Sequence, residues 1–301
     1  SPIPNPQSPI PNPHNEYQII SKIFIKEKKN YKNIKLYKMN SNEKILLVTG
    51  SNKGIGYAIF DGLLKEKSNL KMILTSRNQK LGESALKKLI SKYPSSKNQL
   101  YYHQLDISNK DSRKNIYNWI KQTFGKIDYL CNNAGVYNVD KKELIDINIF
   151  GTINLTEELL KEDLINNNGK IISTGSDLGA SYSVVGKNAS DYKNAKTVSD
   201  LINLTNQYLN NVISGSPYSV SKLTIHVYSK ILGSRKDIVE KNIGVYSMDP
   251  GWCRTDMGGF GAPHSIEHGA ETDIYLIKLP DGIDPKYQGK LFRDCKVTNL
   301  F

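Results

Sequence analysis

"KILLVTGSNKGIG", residues 44–56, decides how the rest of the chain is read. Ile45–Val48 is a short continuous apolar run, as a strand buried on both faces of a parallel sheet reads. Gly50, Gly54 and Gly56 follow at once, and a helical pattern then runs from Ile55 to about Lys67. Strand, glycine loop and helix in that order let backbone N–H groups approach a pyrophosphate at a helix N-terminus, where the dipole favours negative charge. Asn52, Lys53 and Ile55 complete the loop. A plain strand-to-helix turn also uses glycine, but the flanking strand and helix favour a dinucleotide cradle.

Outward from this stretch the pattern repeats. Strand-like "KMILTSR", a helix over 79–93, "QLYYHQLD", a helix over 110–124 and "IDYLCNNAG" follow one another. A helix over 141–164, strand "GKIISTGS" and late strand "NIGVYSMDPG" continue the series. Strands alternating with helices predict an α/β fold: a doubly wound parallel sheet of Rossmann type, covered on both faces. With no second core in the pattern, one domain is expected over 42–301. Residues 1–41 read as a disordered or non-core appendage, or a basic targeting segment lacking arginine. They open with "SPIPNPQ" and its near-copy, whose alternating prolines force extended backbone.

Composition bounds the function. At 38% hydrophobic and 23% charged, 301 residues suffice for a sizeable core. No apolar run approaches the ~18 residues of a membrane span. Cys131, Cys253 and Cys295 show no paired spacing and no nearby histidine cluster, which argues against a zinc site or disulfide framework and fits a reducing, cytosolic setting. The net charge of +12 is concentrated early, with eight lysines against three glutamates in residues 1–44. Without an arginine-rich or aromatic-interleaved stripe, nucleic acid is a poor partner, and an anionic cofactor fits better.

The end of the second strand discriminates between dinucleotides. An NAD site places an acid about 20 residues beyond the glycines, on the ribose 2′-hydroxyl. Between Leu70 and Gly82 there is no acid, and Arg77 is offered instead. Together with Lys53, this favours the 2′-phosphate of NADP(H). Asp106 and Ile107, in "QLDIS", are placed to meet the adenine, although Asp106 could equally cap the helix that follows.

Tyrosine followed four residues later by lysine occurs at Tyr31, Tyr93, Tyr117, Tyr137, Tyr192 and Tyr218. On a helix that spacing stacks both side chains on one face, but the spacing alone does not tell chemistry from composition. The order of motifs does. "TGSNKGIG", "NNAG" (132–135), "INIFG" (147–151), "STGS" (173–176), "YSVSK" (218–222) and "DPGWCRTDMGG" (249–259) together resemble the short-chain dehydrogenase/reductase family. The last of these, with "GAETDIYLIKLP", is most similar to its carbonyl reductase branch.

The resemblance implies a catalytic set of Ser176, Tyr218, Lys222 and Asn148. Tyr218 would protonate a carbonyl oxygen as hydride reaches the carbon, with Ser176 bonding that oxygen. Lys222 would bond the nicotinamide ribose and lower the phenol pKa, and Asn148 would hold a water leading protons to Lys222. An unperturbed phenol titrates near ~10, about 4 kcal/mol from neutrality. One ammonium at ~4 Å in an effective dielectric near ~20 supplies roughly that much.

Tyr192 competes, since it follows Ser176 by 16 residues and Tyr218 follows by 42. Small Ser219 and Ser221 flank Tyr218, as the family prefers, and the branch carries an insertion before its tyrosine. The stretch 191–215 reads as that insert, with Val198, Leu201, Ile202 and Leu209 at helical spacing. In the family the insert covers an oligomerisation surface, so a monomer is implied. The resemblance also places Cys253, Arg254 and Thr255 where backbone meets the nicotinamide amide, Asn133 in the turn beside the cofactor, and Trp252 as an aromatic wall to the substrate. Leu178 and Tyr182 are further pocket candidates. A structural turn at Asn133, core packing at Trp252 and an inert buried thiol at Cys253 are the alternatives. The expectation is NADPH-dependent reduction of a ketone, aldehyde or quinone, without a metal. A dehydrogenase for a steroid-like or terpenoid alcohol and a non-catalytic NADP(H) sensor are the rival readings.

Overall fold

A computed structural model describes residues 43–179 and 189–298. Contacts divide the chain into a unit ending at Lys38 and one spanning Met39–Phe301, and every described residue lies in the second. The proposed 1–41 appendage and Tyr182 lie outside the described residues.

Eight strands form one sheet: β1 (Lys44–Val48), β2 (Leu70–Ser76), β3 (Leu100–Gln104), β4 (Ile127–Asn132), β5 (Ile165–Thr174), β6 (Gly244–Asp249), β7 (Leu291–Arg293) and β8 (Lys296–Val297). Their spatial order is β3-β2-β1-β4-β5-β6-β7-β8. All neighbours pair in parallel except β7 and β8. The chain winds outward from β1 to β3, then returns to lay β4 beside β1. That reversal opens a crevice at the carboxyl ends of β1 and β4, the place where doubly wound sheets bind ligands.

The helices are α1 (Gly54–Lys65), α2 (Gln79–Lys92), α3 (Lys110–Thr123), α4 (Lys141–Ile145), α5 (Thr152–Lys161), α6 (Ala189–Asn194), α7 (Val198–Leu209), α8 (Pro217–Ser234), α9 (Lys236–Glu240) and α10 (Ile266–Lys278). One face of the sheet buries Leu46, Val48 and Met72 against Ile59 and Leu63 of α1, Leu89 of α2 and Leu276 of α10. The other buries Ile45, Leu47 and Ile73 against Ile116 of α3, Leu159 of α5 and Leu223 of α8. Successive strand residues alternate between these two cores, which is why β1 reads as an unbroken apolar run.

Two details depart from the sequence reading. The single helix expected over 141–164 is interrupted by a widened π-turn at Asp146–Gly151, and β5 begins already at Ile165. The insert is helical, with α7 opened by a capping box between Thr197 and Asp200. Its buried face is Leu201, Thr205 and Tyr208, flanked by Val198, Leu204 and Leu209, while Ile202 is only partly buried.

Candidate active site

The loops after β1, β4, β5 and β6 converge at the carboxyl end of the sheet. Gly50 and Gly54 have φ of +61° and +59°, a region costly for any residue with a side chain. A Cβ on Gly50 would lie 2.9 Å from Ala134, and one on Gly56 would lie 2.6 Å from Asn133 Nδ2. No acid occupies the first turn of α1, and Lys53 at its N-cap makes no side-chain cap. Asn133 locks the loop in place: its Nδ2 donates to Thr49 O (2.9 Å) and Gly50 O (3.1 Å), and its amide donates to Thr49 Oγ1 (3.0 Å). This bare, uncapped helix entry fits a pyrophosphate, with Gly50, Gly54 and Gly56 giving close backbone approach.

At the far end of the crevice, Arg77 and Lys53 do not stand together. Arg77 Nη1 lies 3.7 Å from Glu143 Oε1. A cleft of about 590 Å³ opens there, lined by Arg77, Ser108, Asp140, Glu143, Phe150 and Asn154. Lys53 reaches the other way, to Asp256 Oδ2 at 2.5 Å. Asp106 does not cap α3, because Asn109 does, accepting from Ser112 N at 2.9 Å. Instead Asp106 Oδ1 accepts from the amide and hydroxyl of Ser108 (3.0 and 2.7 Å). Ile107 is buried, packed so closely on Gly151 that a Cβ there would come within 2.9 Å.

Ser176 sits just beyond β5, where the chain enters the short turn Asp177–Gly179, and the first two turns of α8 bring Tyr218 and Lys222 to it. The Ser176 hydroxyl lies near the Tyr218 phenol and favours its ionised form. Lys222 Nζ lies 5.4 Å from the Tyr218 ring centroid and donates to Thr174 O at 2.9 Å. Burial pulls the Lys222 pKa down to about 8, against the pull of Asp249. The Tyr218 phenol is pushed up, first by burial and then by Asp249 and Asp177, with the nearby Ser176 hydroxyl working the other way. The sequence argument, which gave Lys222 the power to lower the phenol, misses these two carboxylates and the desolvation of both partners. The phenol therefore holds its proton at neutral pH.

Asn148 belongs to the π-turn between α4 and α5. Its Oδ1 accepts from Val136 N (2.8 Å), and its Nδ2 donates to Val136 O (3.0 Å) and Ser221 Oγ (3.3 Å). It thus ties the "NNAG" loop to α8. A Cβ on Gly135 would sit 3.3 Å from Asn148 Oδ1 and 3.8 Å from Lys222 Nζ.

Tyr192 is fully buried in α6, its hydroxyl enclosed near Thr205 of α7. Tyr137, another of the repeated tyrosines, is at the site in a different capacity. Its ring meets Tyr218 edge-on, centroids 5.1 Å apart. Met257 Sδ lies 3.6 Å from the Tyr218 hydroxyl. Tyr137, Met257, Leu178, Trp252 and Phe260 are all exposed apolar side chains. Trp252 is not core: it is 59% exposed, held by donation from Nε1 to Gly258 O (2.8 Å). Cys253 is buried with its thiol pushed up by desolvation, donating to Pro250 O. Arg254 spends Nη1 on Ala262 O and Pro263 O (3.1 and 2.7 Å), pinning the 259–263 loop. The Thr255 methyl would lie 3.4 Å from a Cβ on Gly54, so this segment borders the glycine loop.

The sequence reading gave His226 no role, yet it supports Ser176 directly. His226 Nε2 lies 2.9 Å from Ser176 O and 3.3 Å from Ser176 N. The shorter contact assigns Nε2–H as donor to the carbonyl. Burial lowers its pKa to about 4, so the ring is neutral. A Cβ on Gly175 would fall 1.9 Å from the ring, which explains the glycine in "STGS". The available signal was spacing: Tyr218, Lys222 and His226 recur every four residues of one helix. Met257, Asp249 and Arg293 carried no comparable signal.

The profile of short chain dehydrogenases matches residues 44–202. The chain belongs to the short-chain dehydrogenase/reductase family. It is 31% identical to carbonyl reductase 1 (NADPH) of Rattus norvegicus over 282 residues, covering 86% of this chain and 99% of that protein. Human carbonyl reductase 3 (NADPH) is 30% identical, over 87% of this chain and all of that protein. The fold matches salutaridine reductase from Papaver somniferum, with a TM-score of 0.71 at 24% identity over 83% of this chain and 99% of that one. As a short-chain reductase of the carbonyl reductase branch, the protein is an oxidoreductase, and its family works with NAD(P). Among the described residues no helix is long and apolar enough to cross a membrane, and no group of three metal-binding side chains is gathered.

Proposed function

We propose that this short-chain reductase uses NADPH to reduce the carbonyl of an apolar ketone, aldehyde or quinone, with Tyr218 as proton donor. The observation that carries this reading is the meeting of Ser176, Tyr218 and Lys222 beside the glycine cradle, under an exposed apolar rim. NADPH supplies the hydride when bound. Tyr218, protonated at neutral pH, donates to the carbonyl oxygen, and Ser176 offers that oxygen a fixed hydrogen bond. Lys222, largely charged below about 8, stabilises the phenolate that remains. Gly50, Gly54 and Gly56 would hold the pyrophosphate, and Arg77 a 2′-phosphate. No acid lies between Leu70 and Gly82 to favour NAD. Leu178, Met257 and Trp252 suit an apolar substrate. The carbonyl reductases among the relatives are named for NADPH, which supports the same choice.

The compartment and assembly proposed are the cytosol, from three unpaired cysteines, and a monomer, from the packing of α7 on α4. The direct test is NADPH consumption by purified protein against quinones, aldehydes and ketones, with NADH alongside. Turnover is expected with NADPH, lost by roughly 10²- to 10⁴-fold in Tyr218→Phe, as for loss of a general acid, and retained in Tyr192→Phe. Loss in Tyr192→Phe with Tyr218→Phe active would reject the assignment. Tight NADPH binding without turnover on any carbonyl would favour a sensor.

A further inference from the structure

Behind the catalytic hydroxyls lies a group of charges that the proposed reaction does not use. Asp249 ends β6 and is 2% exposed, and Arg293 of β7 is its partner in the parallel register. Arg293 Nη1 lies 3.3 Å from Asp249 Oδ2, an ion pair at an angle that makes no hydrogen bond. The same nitrogen donates to Asp177 Oδ2 at 3.2 Å. Asp177 Oδ1 in turn accepts from the Ser176 hydroxyl at 3.2 Å, and Ser176 stands beside Tyr218. One guanidinium therefore links the end of β6 to the turn that carries Ser176.

Two carboxylates beside a phenol oppose its ionisation, and one is buried, where an unpaired charge is costly. A planar guanidinium can serve both at once, whereas an ammonium is a single point of charge. The groups facing Tyr218 are Ser176 and Asp177 after β5, Asp249 from β6, Tyr137 after β4, Met257 before α10, and Lys222 on its own helix. Asp249 also acts on Lys222 and Cys253, and accepts from Gly251 N at 3.0 Å. Arg293 faces Asp177, Asp249 and, at 3.9 Å, Asp294.

We propose that Arg293 is a positioning residue of this site: by bridging Asp177 and Asp249 it holds Ser176 against Tyr218 and offsets the two carboxylates that face the phenol. This rests on Tyr218 being the proton donor, so the test reads the phenol itself and not turnover. The full chain is labelled with 3-fluorotyrosine, which brings phenol titration into reach, and the Tyr218 ¹⁹F signal is assigned by its absence in Tyr218→Phe. Arg293→Met is expected to raise the Tyr218 midpoint, by up to about one unit, and Asp249→Asn to lower it, the directions that loss of an offsetting positive charge and of a facing negative charge produce. Arg293→Lys should fall between wild type and Arg293→Met. Should Arg293→Met fail to fold, Asp249→Asn still removes one charge from an otherwise similar shape. A midpoint unmoved in both charge variants overturns the proposal, as does a shift of the same sign in both. Absence of carbonyl turnover by wild type, with these opposite shifts intact, would instead reject the proposed function alone.

Discussion

His226 lies eight residues beyond Tyr218 and four beyond Lys222, so helical geometry puts all three on one face of α8. Tyr218 and Lys222 point into the crevice, and His226 reaches below it to hold the Ser176 carbonyl. Neutral, buried and packed on Gly175, the ring is a fixed strut, not an acid or base at working pH. Removing it as His226→Ala should displace Ser176 and lower kcat by roughly 10- to 100-fold, the usual cost of a small misplacement. The NADPH KM should stay unchanged, because the glycine loop is held separately by Asn133. Steady-state kinetics at saturating NADPH check this. Equal losses in kcat and in NADPH affinity would indicate general disruption instead.

At the scale of elements, the site is made where loops from different strands meet. The loop after β1 and the loop after β6 are joined by the Lys53–Asp256 pair across the mouth of the crevice. Both side chains are largely exposed, 65% and 78%, so the pair is a weak one, worth about 0.2–1 kcal/mol. That is still enough to compete for Lys53 with an anionic ligand. Asp256→Asn should free the ammonium and lower the KM for NADPH a few-fold, the factor that such a pair energy allows. NADH, without the 2′-phosphate, should change less, and side-by-side KM measurements decide it. The π-turn between α4 and α5 is a second element-scale device. It turns Asn148 onto the Val136 peptide, where an unbroken helix would carry the side chain elsewhere.

For the molecule as a whole, stability is tied to pH through a group far from any loop. Asp273 of α10 is completely buried, neither carboxylate oxygen has a hydrogen-bond partner, and burial pushes its pKa up to about 8. In the unfolded chain it titrates near the ordinary 3.8. Between these values the folded state holds a proton that the unfolded state has released, so stability falls as pH rises from about 4 to about 8, then levels. One such group gives a slope near ~1.4 kcal/mol per pH unit. Asp273→Asn removes that slope, and denaturant midpoints at pH 5 and pH 8 should differ less than in wild type. At pH 8 the variant should be the more stable by a few kcal/mol, on the same linkage. Light scattering tests the assembly proposed above: a species near the single-chain mass of 33.9 kDa is expected, and a tetramer would show that α7 leaves the family's interface open.

Much of this was legible in the chain itself. β1 reads as an apolar run because a strand covered on both faces needs no alternation, β2, β4, β5 and β6 read as strands from their alternation with helices, and the "GSNKGIG" loop reads as a cradle because glycine alone tolerates those backbone angles and approaches. The motif order resembling the short-chain family named Ser176, Tyr218, Lys222 and Asn148, and that family membership stands. What tertiary structure decided was everything that pairs residues distant in sequence. Arg293 meets Asp249 through sheet register, and Asp256 meets Lys53 through loop convergence. Tyr137 reaches Tyr218 from the segment after β4 and Met257 from the segment after β6, and β7 and β8 are too short to show a pattern. Local sequence sets backbone preference and which face is apolar. The proton affinity of Tyr218 depends instead on burial and on charges from β6 and the turn after β5, and these act only once the sheet has assembled.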